Sequence, residues 1–413
     1  MTPWRIRNLL IEPYRVFFAT GALYAAGAMA VWAAWLLAPG AIHLPWAVPP
    51  TLVHAHVMIY AVVGFYVFGF LLTAFPRWVN QPSVSRRQLV TIHGALVLGQ
   101  LALFLGVFWR PGWMVAAAVL ELAAYGMLLG CLIARYRAYC RAPGLGKDTS
   151  QPRYVLLALA TGAGGIVCFY LGLLFPQVSE LTLASVEFGV YGYLLLLVIS
   201  ITYRIVPFFA GRVIEDYTPV RGRHTLGLAA LLIVIRMASA AALNDLPGHW
   251  LLAWSADLLL LGLLLREWRG WFARGVPRVL MLAVLFIGFF WIITFLSFSG
   301  YELVATLLSH RLPLGPIFRT PALHAILVGA FGTLLLAIST RVVRGHGGLP
   351  ITADAFVGIP ILLIQVATIA RVFIPLVPSA IPNMTLVYGA GILWTTAFAI
   401  WSWRYLPLLG KTT

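Results

Sequence analysis

The chain has 413 residues, of which 62% are hydrophobic and only 10% charged, with a mean hydropathy of +0.94. A water-soluble globule cannot hide that much apolar side chain, so the composition excludes one. The net charge of +16 would suit a nucleic-acid partner in a soluble protein, but in a membrane chain the placement of Lys and Arg sets orientation instead, and no nucleic-acid partner is expected.

Apolar runs long enough to cross a bilayer, at about 20 residues each, fall near 16–37, 52–75, 89–109, 112–135, 154–175, 184–209, 225–243, 250–266, 277–298, 322–340, 354–374 and 383–403. They predict an all-α, polytopic membrane helix bundle of about twelve transmembrane helices, read as one domain over 1–413 with its longest loops at 136–153 and 210–224. The first run, Val16 to Leu37, exceeds the apolar core of a signal peptide and is read as a retained helix. Of the 28 Lys and Arg residues, 23 lie before span 1, after span 12 or in every second loop, from Arg5, Arg7 and Arg15 to Arg404 and Lys411. The other loops hold only Arg110, Arg311 and Arg319. The positive-inside rule then makes both termini cytoplasmic, as an even span count requires. Cys131, Cys140 and Cys168 show no paired or metal-type spacing.

Span 2 opens on Pro49-Pro50-Thr51 and continues His54-Ala55-His56-Val57-Met58-Ile59-Tyr60. Imidazole and thioether at membrane depth point to a metal or haem site, because polar groups are costly there and rarely kept without a partner. Successive helical residues turn by ~100°, so His54 and His56 point to opposite faces. They suit two centres, or one ligand and one hydrogen-bond partner, better than one shared metal. Met58 would suit copper(I), though methionine is more often core.

Later spans add candidates. Glu187, in span 6, is open to three readings: a catalytic proton carrier, a ligand to a non-haem metal, or a packing acid. Span 10 opens on Thr320-Pro321, a plausible cap and first-turn proline, and carries His324 within two turns of its start, at a depth like that of His54 and His56. Two helices could therefore clamp one haem or metal between imidazoles. Glu121, Arg236, Asp257 and Arg371 also lie inside spans, where such residues face a cavity, a bundle interior or an ion path. Arg236 and Arg371 are candidates for haem propionates, with salt bridges to Asp257 or Glu121 as the alternative. His43, His249 and His310 fall toward the same side, whereas His93, His224 and His346 fall on the other.

A weak internal echo accompanies these positions. The ends of spans 2, 6 and 10 read Leu71-Leu-Thr-Ala-Phe-Pro-Arg77, Ile201-Thr-Tyr-Arg-Ile-Val-Pro207 and Ala337-Ile-Ser-Thr-Arg-Val-Val343. His56, Glu187 and His324 stand at comparable places in those spans. A true repeat would arrange the spans as three four-helix arcs.

Several blocks resemble the NnrS family: Glu12-Pro-Tyr-Arg-Val-Phe-Phe18, His54 to Met58, Gly69 to Trp78, Arg204 to Phe209, and especially Ala322 to Gly348. The resemblance runs over nearly the whole chain. It implies a twelve-span protein of the bacterial inner membrane that carries haem and copper and acts in nitric oxide metabolism or tolerance. It further implies that His54, His56 and His324 are the ligand candidates, with His346 a further motif histidine. The chain departs from the family pattern at Val57, where a glutamate is common, and at Gly347-Gly348, where a threonine usually follows the histidine. A fainter likeness runs to haem-copper oxidase subunit I, whose paired copper-site histidines this chain lacks.

The leading expectation is thus a haem- and copper-binding membrane protein of nitric oxide metabolism or tolerance, whose enzymatic form would be a redox reaction on nitric oxide with quinol or a soluble protein as electron donor. Two alternatives stand beside it. One is a transporter using the intramembrane charges as a path, a reading that expects inverted repeats and broken helices. The other is a copper or haem delivery factor without turnover.

Overall fold

The structure is a computed structural model and describes residues 4–37, 47–143, 149–212, 214–218, 221–241, 248–271, 280–309, 319–350, 355–374 and 383–411. Among these, eleven helices are long and apolar enough to cross a membrane, and a shorter apolar helix makes twelve. In chain order they are α1 (Pro13–Leu37), α2 (Pro50–Trp78), α3 (Arg86–Phe108), α4 (Trp113–Arg141), α5 (Ser150–Leu174), α6 (Leu181–Ala210), α7 (Thr225–Ala241), α8 (His249–Trp271), α9 (Leu280–Ser309), α10 (Thr320–His346), α11 (Ala355–Val372) and α12 (Asn383–Leu409). Each apolar run read from the sequence is one of these helices. Several extend further at the arginine-rich end, as α4 does to Arg141 and α10 to His346, because long cationic side chains let a helix continue past the apolar layer. His43 and His310 lie outside the described residues.

Local signals start some helices cleanly. Ser85 caps α3: the Gln88 amide donates to Ser85 Oγ at 3.2 Å and the Ser85 amide donates to Gln88 Oε1 at 3.0 Å, a reciprocal capping box. Pro50 opens α2 in the first turn, where its missing N–H leaves no donor unsatisfied.

The helices close into a ring. In consecutive order, α3 packs on α4, α4 on α5, α7 on α8, α8 on α9 and α11 on α12, and α12 returns to α1. Trp394 Nε1 on α12 donates to the Ala25 carbonyl on α1 at 3.2 Å. At the terminal end, Arg15 Nη1 donates to the carbonyls of Leu409 and Lys411 at 2.8 and 2.6 Å. Both termini therefore sit at one end of the bundle, as the even number of spans demands.

Three helices fill the middle. The apolar stretches of α2, α6 and α10 are 83%, 83% and 78% buried, against 33% to 56% for the other eight long helices. They meet around a void of about 60 Å³ bordered by Val63, Tyr66, Leu197, Ile201, Leu334 and Ile338. One inner helix thus belongs to each successive set of four, which is the three-arc arrangement. Glycines permit the close fit: a Cβ on Gly329 of α10 would stand 2.7 Å from Trp291 Cδ2 and 2.8 Å from Thr368 Cγ2.

All three inner helices also change winding at the same place. Val57–Val62, Phe188–Leu195 and Ala325–Gly332 are π-helical, directly after His56, Glu187 and His324. π-Helical turns are rare, occur mostly as single turns inside α-helices and are frequent at functional sites. Their recurrence at one register in three helices supports the internal repeat far better than the sequence echo does.

Candidate functional site

The three switch points define three polar sites at the end of the bundle away from the termini, each built by the same helices of its arc. The third helix of each arc contributes Gln100, Arg236 or Arg371, residues 136 and 135 positions apart. The fourth contributes Glu121 in the first arc and Asp257 in the second. Gln100 lies 21 residues before Glu121 and Arg236 lies 21 before Asp257, and each pair is hydrogen-bonded.

In the first arc, His56 Nε2 lies 2.8 Å from Glu121 Oε2. Gln100 Nε2 donates to Glu121 Oε1 at 2.6 Å, and Tyr24 Oη donates to Gln100 Oε1 at 2.8 Å. The carboxylate thus accepts from two donors, which places a proton on His56 Nε2. Both His56 and Glu121 are almost fully buried, and the imidazole stacks on Phe169 at 3.8 Å between ring centroids. His56 Nδ1 is buried and has no hydrogen-bond partner among the described residues, which makes it the free nitrogen of the ring there. Met58 is buried in the first π-helical turn.

His54 points the other way, as the helical angle requires. Its ring stacks on Trp32 of α1 at 4.3 Å and 10° and borders a cavity of about 660 Å³ between α1, α2 and α3. Tyr24, Gln100 and Thr20 supply polar side chains to the walls, which are otherwise largely apolar. A volume of this size falls in the range of ligand sites, about 300–1,000 Å³.

In the third arc, His324 Nδ1 lies 2.7 Å from the Thr320 carbonyl and its Nε2 lies 3.3 Å from Arg371 Nη2. A guanidinium can only donate, so Nε2 accepts and the ring proton sits on Nδ1, where the carbonyl receives it. An imidazole fixed through one N–H to a backbone carbonyl is the usual arrangement of a metal-ligating histidine, but here the one remaining lone pair accepts from Arg371. Among the described residues no carboxylate lies within ion-pair distance of Arg371.

In the second arc, Arg236 reaches Asp257 at 3.2 Å and Glu187 at 3.4 Å. The structure therefore brings His324 and Arg371 together, sets His54 against Trp32 and the cavity, sets His56 with Glu121, and sets Glu187 with Arg236 and Asp257. His346 lies at the terminal end, where Arg77 Nη1 is 2.7 Å from its Nε2, so it belongs to none of the three sites. No cluster of three or more His, Cys, Asp or Glu able to hold a metal ion occurs among the described residues. A metal here would have to accept two protein ligands or bring others with it, as a porphyrin does. The cavity beside His54 has room for such a group, while His324 and Arg371 are not among its lining residues.

The sequence reading passed over Gln100, Tyr24, Trp32, Tyr191 and Ser299. For Gln100 a signal existed: a lone amide in an apolar span, one repeat length before Arg236. The aromatic and hydroxyl residues carried none, since such residues are common in membrane helices.

No curated protein shows a match to the chain. The family model described as NnrS protein matches residues 8–412. With that coverage, the chain is a polytopic membrane protein that belongs to the NnrS family.

Proposed function

We propose that this chain is a haem-binding protein of the bacterial inner membrane that acts in nitric oxide metabolism or tolerance, with His54 and His324 as iron ligands. The observation that carries the reading is the state of His324: its proton is committed to the Thr320 carbonyl, so the ring's one lone pair lies at Nε2, where Arg371 donates and where iron would take the guanidinium's place. Arg371 has the charge and position to hold a carboxylate substituent of the ligand, and family membership favours a nitric oxide role over transport. Haem iron, when bound, supplies one-electron chemistry and affinity for a diatomic gas.

The remaining residues act around it. Trp32 stacks on His54 and fixes the ring plane, and the apolar cavity walls keep water from the site. Copper falls in this reading to His56 through its buried Nδ1, which has no hydrogen-bond partner among the described residues. Glu121 then sets the ring orientation, as a carboxylate behind a ligating histidine does. The arginine-rich terminal end faces the cytoplasm, and quinol or a soluble protein serves as electron donor. Reduced, haem-loaded protein titrated with nitric oxide is expected to show a shifted Soret band. An unchanged spectrum at saturating gas would remove the nitric oxide role.

A further inference from the structure

At the terminal end of the bundle the three inner helices finish alike. Each carries an aromatic ring 22 residues after its switch residue: Trp78 after His56, Phe209 after Glu187 and His346 after His324. An arginine of the next inner helix lies against each ring. Arg204 of α6 stands over Trp78 with Cζ 5.6 Å from the ring centroid, Arg341 of α10 stands over Phe209 at 3.5 Å, and Arg77 of α2 places Nη1 2.7 Å from His346 Nε2. The three contacts run in one sense from helix to helix and close on themselves.

The cations in this girdle are not met alike. Arg77 has the Glu12 carboxylate at 3.3 Å. Arg341 has the Phe209 ring beneath it, and among the described residues no acid or hydrogen-bond acceptor reaches its guanidinium. Arg212, just past the end of α6, is in the same state: its guanidinium lies over Phe208 at 4.4 Å, and the Phe208 and Phe209 rings are 5.6 Å apart. Glu215 and Asp216, the acids that follow Arg212, come within ion-pair distance of neither arginine. Two guanidiniums are therefore held on neighbouring rings with no anion between them. A ring face orients a cation without neutralising it, and the five N–H donors of a guanidinium match the oxygens of a phosphate.

Position selects the kind of phosphate. Arg212 is exposed, Arg341 is partly buried, and Phe208 keeps 50% of its surface exposed at the end of a membrane-spanning helix. Aromatic rings at such helix ends sit at the level of the lipid headgroups, and basic pockets between helices on the arginine-rich side take anionic ones.

We propose that Arg212 and Arg341 bind the phosphate of one anionic phospholipid, with Phe208 against the apolar part of that lipid. The site lies at the opposite end of the bundle from His54, His56 and His324, and its test needs no haem.

The test is native mass spectrometry of the purified full chain in detergent, titrated with phosphatidylglycerol and, in parallel, with zwitterionic phosphatidylethanolamine. The wild type is expected to bind one phosphatidylglycerol more tightly than any phosphatidylethanolamine. Arg212→Gln and Arg341→Gln should each weaken that first binding about fivefold, and the double variant roughly twentyfold. Arg110→Gln, beyond the far end of α3, leaves it unchanged. Arg212 lies outside the helices, so its variant decides alone should Arg341→Gln fail to fold. Wild-type affinity for phosphatidylglycerol in the folded variants, equal binding of the two lipids by the wild type, or displacement of the bound lipid by inorganic phosphate at the same concentration overturns the proposal.

Discussion

Glu121 Oε2 lies 2.8 Å from His56 Nε2, with 1% of the glutamate side chain and none of the histidine side chain exposed. This carboxylate also takes the Gln100 amide, so it satisfies two donors that have no other acceptor. Removing it by Glu121→Ala leaves both unpaired in an apolar interior. Such a loss costs on the order of 3–5 kcal/mol when a buried pair is broken, and thermal unfolding of the purified variant should show a large drop in midpoint. Glu121→Gln keeps one acceptor oxygen and is expected to cost clearly less.

Arg371 gives a second prediction. If its guanidinium holds both the His324 lone-pair side and an anionic ligand group, Arg371→Ala weakens haem retention without removing an iron ligand. A hydrogen bond to a charged group contributes about 1.5–3 kcal/mol, roughly 10–100-fold in affinity. Haem transfer to an apo-globin acceptor should accelerate by about that factor. Transfer at the wild-type rate would detach Arg371 from the site.

Packing of the inner helices predicts a contrast between two glycines. Gly329 has Trp291 and Thr368 against it, whereas Gly130 on α4 has nothing within 4 Å of a built Cβ. Gly329→Ala should therefore destabilise by about 1–3 kcal/mol through overpacking. Gly130→Ala should be close to neutral, and comparison of their unfolding midpoints checks the assignment of α10 as a central helix.

Closure of the ring rests partly on Arg15. Its Nη1 donates to two carbonyls at the end of α12, and hydrogen bonds to charged groups contribute about 1.5–3 kcal/mol. Arg15→Ala is expected to expose residues 403–411 to faster hydrogen exchange while leaving α2 and α6 protected. Equal exchange in both proteins would show that the termini are held by other contacts.

Topology was legible because hydrocarbon permits few backbone solutions: twelve apolar runs of spanning length can only be helices, and only helix ends were underestimated, at the arginine-rich side in α4 and α10 and at the opposite side in α9, which runs to Ser309. The opposed directions of His54 and His56 followed from helical geometry alone. The echo linking His56, Glu187 and His324 was visible in the sequence, but the π-helical turns that give it meaning were not, since no local residue pattern marks a change of winding. Pairing was least legible. Arg236 and Arg371 looked alike as lone cations in spans, yet Arg236 meets two acids and Arg371 meets an imidazole. That difference arises from which residue the inner helix of each arc presents, a tertiary property with no signature along the chain.

Optical absorption of the purified protein from haem-replete cells tests the central claim most directly. A Soret band of stoichiometric haem in the wild type, lost in His54→Ala and in His324→Ala while Arg77→Ala at the opposite end retains it, is the predicted result. A colourless wild-type protein that is folded and monodisperse, or full haem content in both histidine variants, would contradict it.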